Sequence, residues 1–343
     1  MHSFICILLS LLRSINAFKP ALPSTNSIVP STDLSISQSV AAGSHLAMEQ
    51  CSKMFRNQVW NCPASMFQPN FGISTRESAL IQAILSAGII HTVSRNCSAG
   101  ELDGCGCGRN SPVTDESWEW AGCSDNLAFA DSVSEKFLPG GSLTQHHNLE
   151  AGKVAVRKSM RRVCKCHGVS GSCAVQTCWK SVGDFNSVGR YLRRRHKDAV
   201  HVGTGGSGLT TLSDPSLNKI IFSRASRDRR TVPAIKKRKL VFLQPSPNYC
   251  IANPALRVPG VKGRVCSVSP ESKSKTKDIK KCSDVCTGCG LDARKEVKLV
   301  STSCNCKFEW CCNLKCETCT REQITITCVR KTKKNPINLS NST

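Results

Sequence analysis

Cysteine constrains the fold of this chain more than any other residue type. The sequence has 23 cysteines among 343 residues, and a reducing compartment rarely uses so many thiols unless they bind metal. We therefore expect an oxidised, secreted protein held together by disulfides. The formal net charge of +23 keeps a second class open, because zinc-dependent nucleic-acid binders are also basic and rich in cysteine.

The N-terminus favours secretion. An apolar run from Phe4 to Leu12 has the length of a signal-peptide core and is too short to span a bilayer. Ile15-Asn16-Ala17 is a suitable cleavage context, so we predict a signal peptide over 1–17, with a buried strand or helix as the alternative. Cleavage would remove Cys6 and leave an even number of cysteines that can all pair. No transmembrane span is predicted in the mature chain.

The cysteines divide the chain into two parts. Ten lie between Cys51 and Cys178, twelve lie between Cys250 and Cys328, and none lies in 179–249. Apolar residues recur at helical spacing before this gap and alternate after about Lys239. The pattern predicts an α+β protein, in which a disulfide-braced helical domain precedes a small Cys-rich domain of β-hairpins. We assign a flexible leader to 18–39, the helical domain to 40–238, the Cys-rich domain to 239–330, and a polar, basic tail to 331–343.

Five helices are predicted in the first domain, from the spacing of apolar residues and from capping signals. Ser74 is the predicted N-cap of the second helix, with Glu77 closing a capping box, and Ser124-Asp125 is the predicted cap of the third. The positions that define the five are Val40, Ala47 and Met54; Leu80, Ala83, Ile84, Ala87 and Ile90; Leu127, Ala130, Val133 and Phe137; the span 149–162; and Val182, Phe185, Val188 and Leu192.

The cysteine-free stretch is strongly basic, with 15 Lys+Arg and 4 Asp+Glu in 179–249. We interpret 201–238 as a basic loop that includes a flexible segment from Gly203 to Gly208. Solubility alone would explain such a surface, but cationic clusters in extracellular proteins more often bind sulfated glycans. The residues expected to bind heparan sulfate are Arg193, Arg194, Arg195, Lys236, Lys237, Arg238 and Lys239.

The densest motif runs from Cys164 to Cys173 and reads C-K-C-H-G-V-S-G-S-C. We expect a hairpin with nested bridges, in which Gly168 and Gly171 permit positive φ and Ser170 stands exposed between them. An esterase nucleophile elbow would need a glycine two residues after Ser170, where the chain has another serine. The three cysteines and the histidine are suitable zinc ligands, but export makes disulfides the expected state. A rigid, inert hairpin is the simplest alternative.

This motif closely resembles the signature of the Wnt family of secreted morphogens. Other matching segments follow in the family's order over about Val40 to Val329, and the segment around Asn96 is most like subfamily eight. The matching segments are Trp60-Asn61-Cys62-Pro63, Thr75-Arg76-Glu77-Ser78-Ala79, Arg95-Asn96-Cys97-Ser98, Gly104-Cys105-Gly106-Cys107, Trp120-Ala121-Gly122-Cys123-Ser124-Asp125-Asn126 and Phe308-Glu309-Trp310-Cys311-Cys312.

The resemblance implies a lipid site on the hairpin. In this family a membrane-bound acyltransferase esterifies the serine that corresponds to Ser170 with a cis-unsaturated palmitoleoyl chain; no cofactor or metal is expected. The hairpin, 164–178, is then a thumb that inserts this lipid into a groove on the cysteine-rich domain of Frizzled receptors. The thumb residues expected to contact the receptor are His167, Gly168, Val169 and Gly171.

A second receptor contact is implied at a finger hairpin over 304–319. The family bonds Cys311 to Cys312 at its tip, with Phe308 and Trp310 as anchors, and Trp310 packed in a small core is the alternative. The other bridges that the family implies are Cys51–Cys62, Cys97–Cys105, Cys107–Cys123, Cys164–Cys178, Cys166–Cys173, Cys250–Cys289, Cys266–Cys282, Cys286–Cys328, Cys304–Cys319 and Cys306–Cys316.

The resemblance also implies modification and partners. Asn96 heads a glycosylation sequon at a position that the family uses, and Asn338 and Asn341 head two more. The expected protein is a secreted, non-enzymatic glycoprotein of the extracellular space and matrix that activates β-catenin-dependent signalling in development. Its expected partners are Frizzled, a lipoprotein-receptor-related co-receptor, heparan sulfate proteoglycans and a lipid-binding carrier during secretion, with no nucleic acid. A matrix protein that binds glycans and triggers no response is the competing class.

Overall fold

The computed structural model describes residues 34–68, 73–108, 119–205, 208–211, 235–256, 258–268, 275–309 and 313–331. Two compact units divide the chain: Met1–Met54 with Ala64–Ser246, and Phe55–Pro63 with Pro247–Thr343. The predicted signal peptide lies outside the described residues. The predicted boundary at 238 falls too early, because 239–246 is hydrogen-bonded to side chains of the first unit, as shown below.

Among its described residues, the first unit contains five α-helices, as predicted. They are α1 Leu34–Phe55, α2 Arg76–Ser98, α3 Leu127–Phe137, α4 Leu143–Ser159 and α5 Phe185–Lys197, with a 3-10 turn over Ala64–Phe67. Helix α2 forms the centre, because its residues Leu80, Ile84, Ala87 and Ile90 are all buried. Glycines allow its neighbours to pack closely: a Cβ added to Gly152 of α4 would lie 2.2 Å from the carbonyl oxygen of Ala83.

Helix α1 begins earlier than predicted. Residues 34–39, assigned above to a flexible leader, are helical. Ser39 is buried, and its Oγ accepts a hydrogen bond of 2.9 Å from Nδ2 of Asn96 on α2. This long-range contact orders the start of the helix, and no local pattern in the sequence indicates it.

Two predicted helix caps are displaced by one or two residues. The N-cap of α2 is Thr75 rather than Ser74, and Ser78 closes the capping box that was assigned to Glu77. Asn126 caps α3 in place of Ser124-Asp125, because its side chain accepts from the N–H of Phe129. The displaced residues make tertiary contacts instead.

Helix α4 was predicted over 149–162 and lies at Leu143–Ser159. It starts early because Ser142 accepts from the N–H of Gln145, which satisfies a free donor of the first turn. It ends early because a strand begins at Arg161.

Strands complete the first unit. A parallel strand β1, Glu119–Ala121, pairs with β3, Gln176–Ser181, which pairs antiparallel with β2, Arg161–Cys166. A second sheet has the order β5-β4-β6, from β4 Val200–Gly205, β5 Gly208–Thr211 and β6 Val241–Phe242. The described start of the predicted basic loop therefore forms strands, and Gly203, which was expected to be flexible, pairs with Thr210.

The second unit is built on a long antiparallel hairpin. Its strands are β8 Asp292–Glu309 and β9 Asn313–Val329, and the short strand β7, Val265–Val268, pairs with β9. A helix, α6 Lys275–Gly288, was missed by the prediction, which expected no helical spacing here. Cys282, Val285 and Cys286 of this helix are buried with Ile326 and Cys328 of β9 in a small core.

Disulfides hold both units. Cys51 and Cys62 are each in a disulfide, and nine bridges join other cysteines in the same pairs that the resemblance implied. They are Cys97–Cys105, Cys107–Cys123, Cys164–Cys178, Cys166–Cys173, Cys250–Cys289, Cys266–Cys282, Cys286–Cys328, Cys304–Cys319 and Cys306–Cys316. Cys311 and Cys312 lie outside the described residues.

Candidate functional site

The candidate site is the thumb, the hairpin of β2 and β3 with its tip. Cys164 lies directly opposite Cys178 in the strand register, and their bridge joins Cα atoms 4.1 Å apart. The second bridge, Cys166–Cys173, closes the loop nearer the tip. Every residue of β2 except Cys166 is exposed. The two covalent links therefore give this hairpin a rigidity that a two-stranded ribbon with so little buried surface would otherwise lack.

The tip of the thumb presents Ser170. Val169–Gly171 form one 3-10 turn, in which Ser170 has φ 57° and ψ 25°. This left-handed conformation is uncommon for a residue with a side chain. Ser170 is exposed, and the neighbouring Val169 is 90% exposed. A fatty chain on the Oγ of Ser170 would thus extend into open space.

The two tip glycines act differently from the prediction. Gly171 does have positive φ, at 77°, but Gly168 is extended, with φ −67° and ψ 170°. Gly168 is needed for close approach, because an added Cβ would lie 2.5 Å from the carbonyl oxygen of Ser172. Its N–H donates to that same oxygen at 2.8 Å. The positive φ expected at Gly168 lies at Ser170 instead.

His167 closes the turn below the tip. Its N–H donates to the carbonyl oxygen of Val175 at 2.8 Å, and its Nε2 lies 2.9 Å from Oγ1 of Thr177 across the hairpin. Thr177 was not singled out from the sequence. Its position next to Cys178 is the sequence signal for it, because the Cys164–Cys178 bridge places this part of β3 beside β2.

The finger hairpin is formed by the far ends of β8 and β9, within the predicted span 304–319. The register of its two strands shifts between Cys304 and Lys307. The bridge Cys304–Cys319 lies at the start of this shift, and Cys306–Cys316 lies within it. Phe308, beyond that shift, is 79% exposed. The other predicted finger residues, Trp310, Cys311 and Cys312, lie outside the described residues.

The predicted glycan-binding and glycosylation residues lie in the first unit where they are described. Arg193, Arg194 and Arg195 belong to the last turns of α5, and Lys236–Lys239 form a turn before β6. The two segments approach each other, because the N–H of Val200 donates to the carbonyl oxygen of Leu240 at 2.8 Å. Asn96 lies on α2, and Asn338 and Asn341 lie outside the described residues.

The geometry of the thumb bears on two alternatives, a zinc site and an esterase nucleophile elbow. Within the described ranges, no group of His, Cys, Asp or Glu side chains could hold a metal ion, and all three cysteines of the proposed zinc set are in disulfides. The esterase alternative would place the serine between a strand and a helix, whereas Ser170 lies between two strands. Among the described helices, none is long and apolar enough to cross a membrane.

Comparison with known proteins identifies the family. The sequence model of the wnt family matches residues 20–329. The chain belongs to the Wnt family. The match begins well before Val40, where the resemblance was expected to start.

Individual relatives are of the Wnt-8 type, which confirms the expected likeness to subfamily eight. The chain is 36% identical over 315 residues to Protein Wnt-8 of Xenopus laevis, covering 88% of this chain and 86% of that protein. It is 36% identical over 320 residues to human Protein Wnt-8b, covering 88% and 86% respectively. This Wnt chain is therefore a secreted signalling ligand of Wnt-8 type.

A solved structure supports the same fold. The chain matches one chain of human WLS in complex with WNT8A with a TM-score of 0.61 and 32% sequence identity, over 88% of this chain and 96% of that chain. This match confirms the α+β fold class, in which a helical part carries a bridged hairpin and a Cys-rich part is built from antiparallel strands.

Proposed function

We propose that this Wnt protein is palmitoleoylated on Ser170 and binds the cysteine-rich domain of a Frizzled receptor through that lipid. One observation carries the proposal: Ser170 is an exposed residue in the left-handed conformation, within the loop that both nested bridges enclose. A membrane-bound acyltransferase of the secretory pathway would join the acyl group to this hydroxyl. The protein then needs no other cofactor, and it acts as a ligand rather than as an enzyme.

The energetics favour a rigid thumb. Burying a long acyl chain contributes ~0.8 kcal/mol per CH₂, on the order of 10 kcal/mol before other costs. Binding loses part of this to the ordering of mobile groups. Because the two bridges fix the tip before it meets the receptor, less ordering is required on binding. The exposed Val169, together with His167, Gly168 and Gly171, would contact the rim of the receptor groove.

Ser170→Ala tests this function, with Ser172→Ala as the matched control. Both variants remove one hydroxyl from the same exposed tip, and only the first removes the proposed acyl site. We expect Ser170→Ala to abolish capture by a Frizzled cysteine-rich domain and activation of a β-catenin reporter, whereas Ser172→Ala retains both. Equal capture of wild type and Ser170→Ala would contradict the proposal. It would favour the competing class, a matrix protein that binds glycans and triggers no response.

A lipid-bearing protein also needs a carrier. Human WLS forms a complex with WNT8A, which supports the proposal that a membrane carrier of this kind binds the acylated chain during secretion. Outside the cell we propose that the finger, with Phe308 at its exposed end, forms a second Frizzled contact. A lipoprotein-receptor-related co-receptor would bind another surface, and the resulting signal would act through β-catenin.

We further propose that the basic segments of the first unit retain the protein in the matrix through heparan sulfate. Arg194, Lys236, Lys237 and Arg238 are exposed, which supports this proposal. Replacing Lys236, Lys237 and Arg238 by glutamine should lower the salt concentration that elutes the protein from heparin, because each lost cation removes a sulfate contact. An unchanged elution point would contradict it.

We propose a glycan on Asn96 as well. Its Nδ2 donates to Oγ of Ser39 in the folded protein, so we expect oligosaccharide transfer to precede the docking of α1. Asn338 and Asn341 are proposed as further sites, and loss of the glycan from each Asn→Gln variant by mass spectrometry tests all three.

A further inference from the structure

The direction of the thumb has to be fixed at its root, because the rest of the hairpin has little support. β2 is exposed, and β3 buries only Cys178. The segment that follows β1 supplies the root contacts. Ser124 Oγ accepts from the N–H of Lys180 at 2.9 Å, and the N–H of Asp125 donates to the carbonyl oxygen of Lys180 at 2.9 Å. These two bonds continue the pairing of β1 with β3 past Ala121 and Cys178, the last residue pair of the two strands.

The carboxylate of Asp125 then joins this root to the core helix. Its Oδ2 accepts from the N–H of Val182 at 2.6 Å and from Oγ of Ser181 at 3.0 Å. Its Oδ1 accepts from Oγ of Ser98, in the last turn of α2, at 2.6 Å. One carboxylate thus connects the end of β3 with the end of α2.

The environment of Asp125 makes these bonds strong. The residue is only 6% exposed, so water competes weakly for its oxygens, and hydrogen bonds to a charged acceptor are stronger than neutral ones. The next residue along the chain from Val182 is also fixed, because Nε2 of His91 donates to the carbonyl oxygen of Gly183 at 3.0 Å. The chain is therefore held on both sides of the point where it leaves the thumb.

We propose that Asp125 is a positioning residue that sets the direction of the thumb and hence the place of Ser170 relative to the helical unit. The geometry gives it leverage. Strand residues rise about 3.3 Å each, so β3 extends about 20 Å, and a 10° rotation at the root would move the tip by about 3–4 Å. The functional part of this inference rests on the proposed lipid-dependent binding, whereas the anchoring part does not.

The test compares Asp125→Asn with Asp131→Asn in the full-length secreted protein. Asp131 is a matched control, because it is also an aspartate with a largely buried side chain, and it binds Arg157 of α4 rather than the thumb. Hydrogen exchange of the thumb amides, the melting temperature and the affinity for a Frizzled cysteine-rich domain are measured for each protein. The first readout reports anchoring, and the last reports its functional consequence.

We expect Asp125→Asn to speed exchange at Lys180 and Val182 on the order of tenfold or more, the scale of one lost bond to a charged group. Receptor affinity should fall several-fold while acyl content stays at the wild-type level. Asp131→Asn should change neither the exchange of the thumb amides nor the receptor affinity, even if it lowers the melting temperature as much as Asp125→Asn does. Unchanged thumb exchange in Asp125→Asn, or an equal change in Asp131→Asn, would overturn the proposal.

Milder variants keep the test decisive if Asp125→Asn is not secreted. Ser181→Ala removes one donor to Oδ2, and Ser98→Ala removes the donor to Oδ1. Ser98→Thr restores that hydroxyl, and Asn96→Gln controls for the glycan that Ser98→Ala would also remove. We expect faster exchange of the thumb amides in Ser181→Ala and Ser98→Ala, and wild-type rates in Ser98→Thr and Asn96→Gln. Wild-type rates in both alanine variants would overturn the proposal. If Ser170 of the wild type carries no lipid, the proposed function fails, but the exchange comparison still tests Asp125.

Discussion

Asn148 and Val241 exchange two hydrogen bonds, as two strand residues would. Nδ2 of Asn148 donates to the carbonyl oxygen of Val241 at 3.0 Å, and the N–H of Val241 donates to Oδ1 of Asn148 at 2.9 Å. The asparagine is 1% exposed and Val241 is fully buried. A side chain of α4 thereby takes the place of a missing strand beside β6.

Asn148→Ala should destabilise the first unit strongly. It leaves a buried N–H and a buried carbonyl group of Val241 without this partner, and each such group costs about 1–3 kcal/mol. Denaturant unfolding under non-reducing conditions measures the loss. Asn186→Ala is the control, because the half-buried side chain of Asn186 bonds to the neighbouring Asp184 at the start of α5. This variant should change the free energy of unfolding by less than about 0.5 kcal/mol. Equal effects in both variants would show that Asn148 has no such role.

Gly168→Ala should disrupt the thumb tip more than Gly171→Ala does. A Cβ on Gly168 would meet the carbonyl oxygen of Ser172 at 2.5 Å, whereas one on Gly171 meets nothing within 4 Å. Gly171→Ala pays only for its positive φ, about 1–2 kcal/mol. Proton exchange at the amides of Gly168 and Ser172 should accelerate more in Gly168→Ala. The reverse order would contradict the close approach described here.

Arg264→Ala should loosen the segment 55–63. The guanidinium group of Arg264 donates to the carbonyl oxygens of Arg56, Gln58 and Val59 at 2.7, 2.8 and 3.0 Å. Hydrogen bonds to charged groups contribute about 1.5–3 kcal/mol each. The planar guanidinium group of arginine can donate to three carbonyl oxygens at once in a fixed geometry, which the single ammonium group of lysine does less well. Arg264→Lys should therefore recover little of the lost protection from hydrogen exchange in 56–60. Full recovery would mean that charge alone matters.

Stability should fall on mild acidification because of His91. Burial lowers the pKa of His91 below its ordinary value of 6.5, outweighing the bond to Gly183. The unfolded chain then binds more protons than the folded one once the pH falls below about 6.5. The stability that this difference in pKa contributes is fully present above that pH and is lost as the pH falls to the lower pKa of the folded state. His91→Gln, which keeps a donor for Gly183, should flatten the fall in unfolding free energy between about pH 7 and 5; parallel curves would exclude His91 as its source.

Local patterns predicted the helices because each of the five buries an apolar stripe. Their ends were less predictable, as α2 illustrates. Ser74 and Thr75 are both good caps, each with a polar residue three positions later. The choice depends on Ser74, whose carbonyl oxygen accepts from the N–H groups of Leu243 and Gln244. A contact so distant along the chain leaves no local signal.

The same reason explains most other misses. Asn148 and Val241 are 93 residues apart, so residues 239–246, which follow the basic loop, were assigned to the wrong domain. Helix α6 was hidden because two of the three buried side chains described in it, those of Cys282 and Cys286, were interpreted only as bridge cysteines. Asp125 was interpreted as a helix cap, because acidic residues commonly precede helices.

The candidate site was the more predictable part. The residues from Cys164 to Cys173 indicated a bridged hairpin with Ser170 at its tip, and the structure has that arrangement. What sequence reasoning misplaced is the backbone conformation, because it assumed that only glycine would take positive φ. At this tip the serine itself takes it, with φ 57°.

Peptide mass spectrometry of the secreted protein tests the central proposal most directly. We expect a palmitoleoyl ester on Ser170, with Ser172 of the same peptide unmodified. A fully active secreted ligand whose Ser170 is unmodified would contradict it.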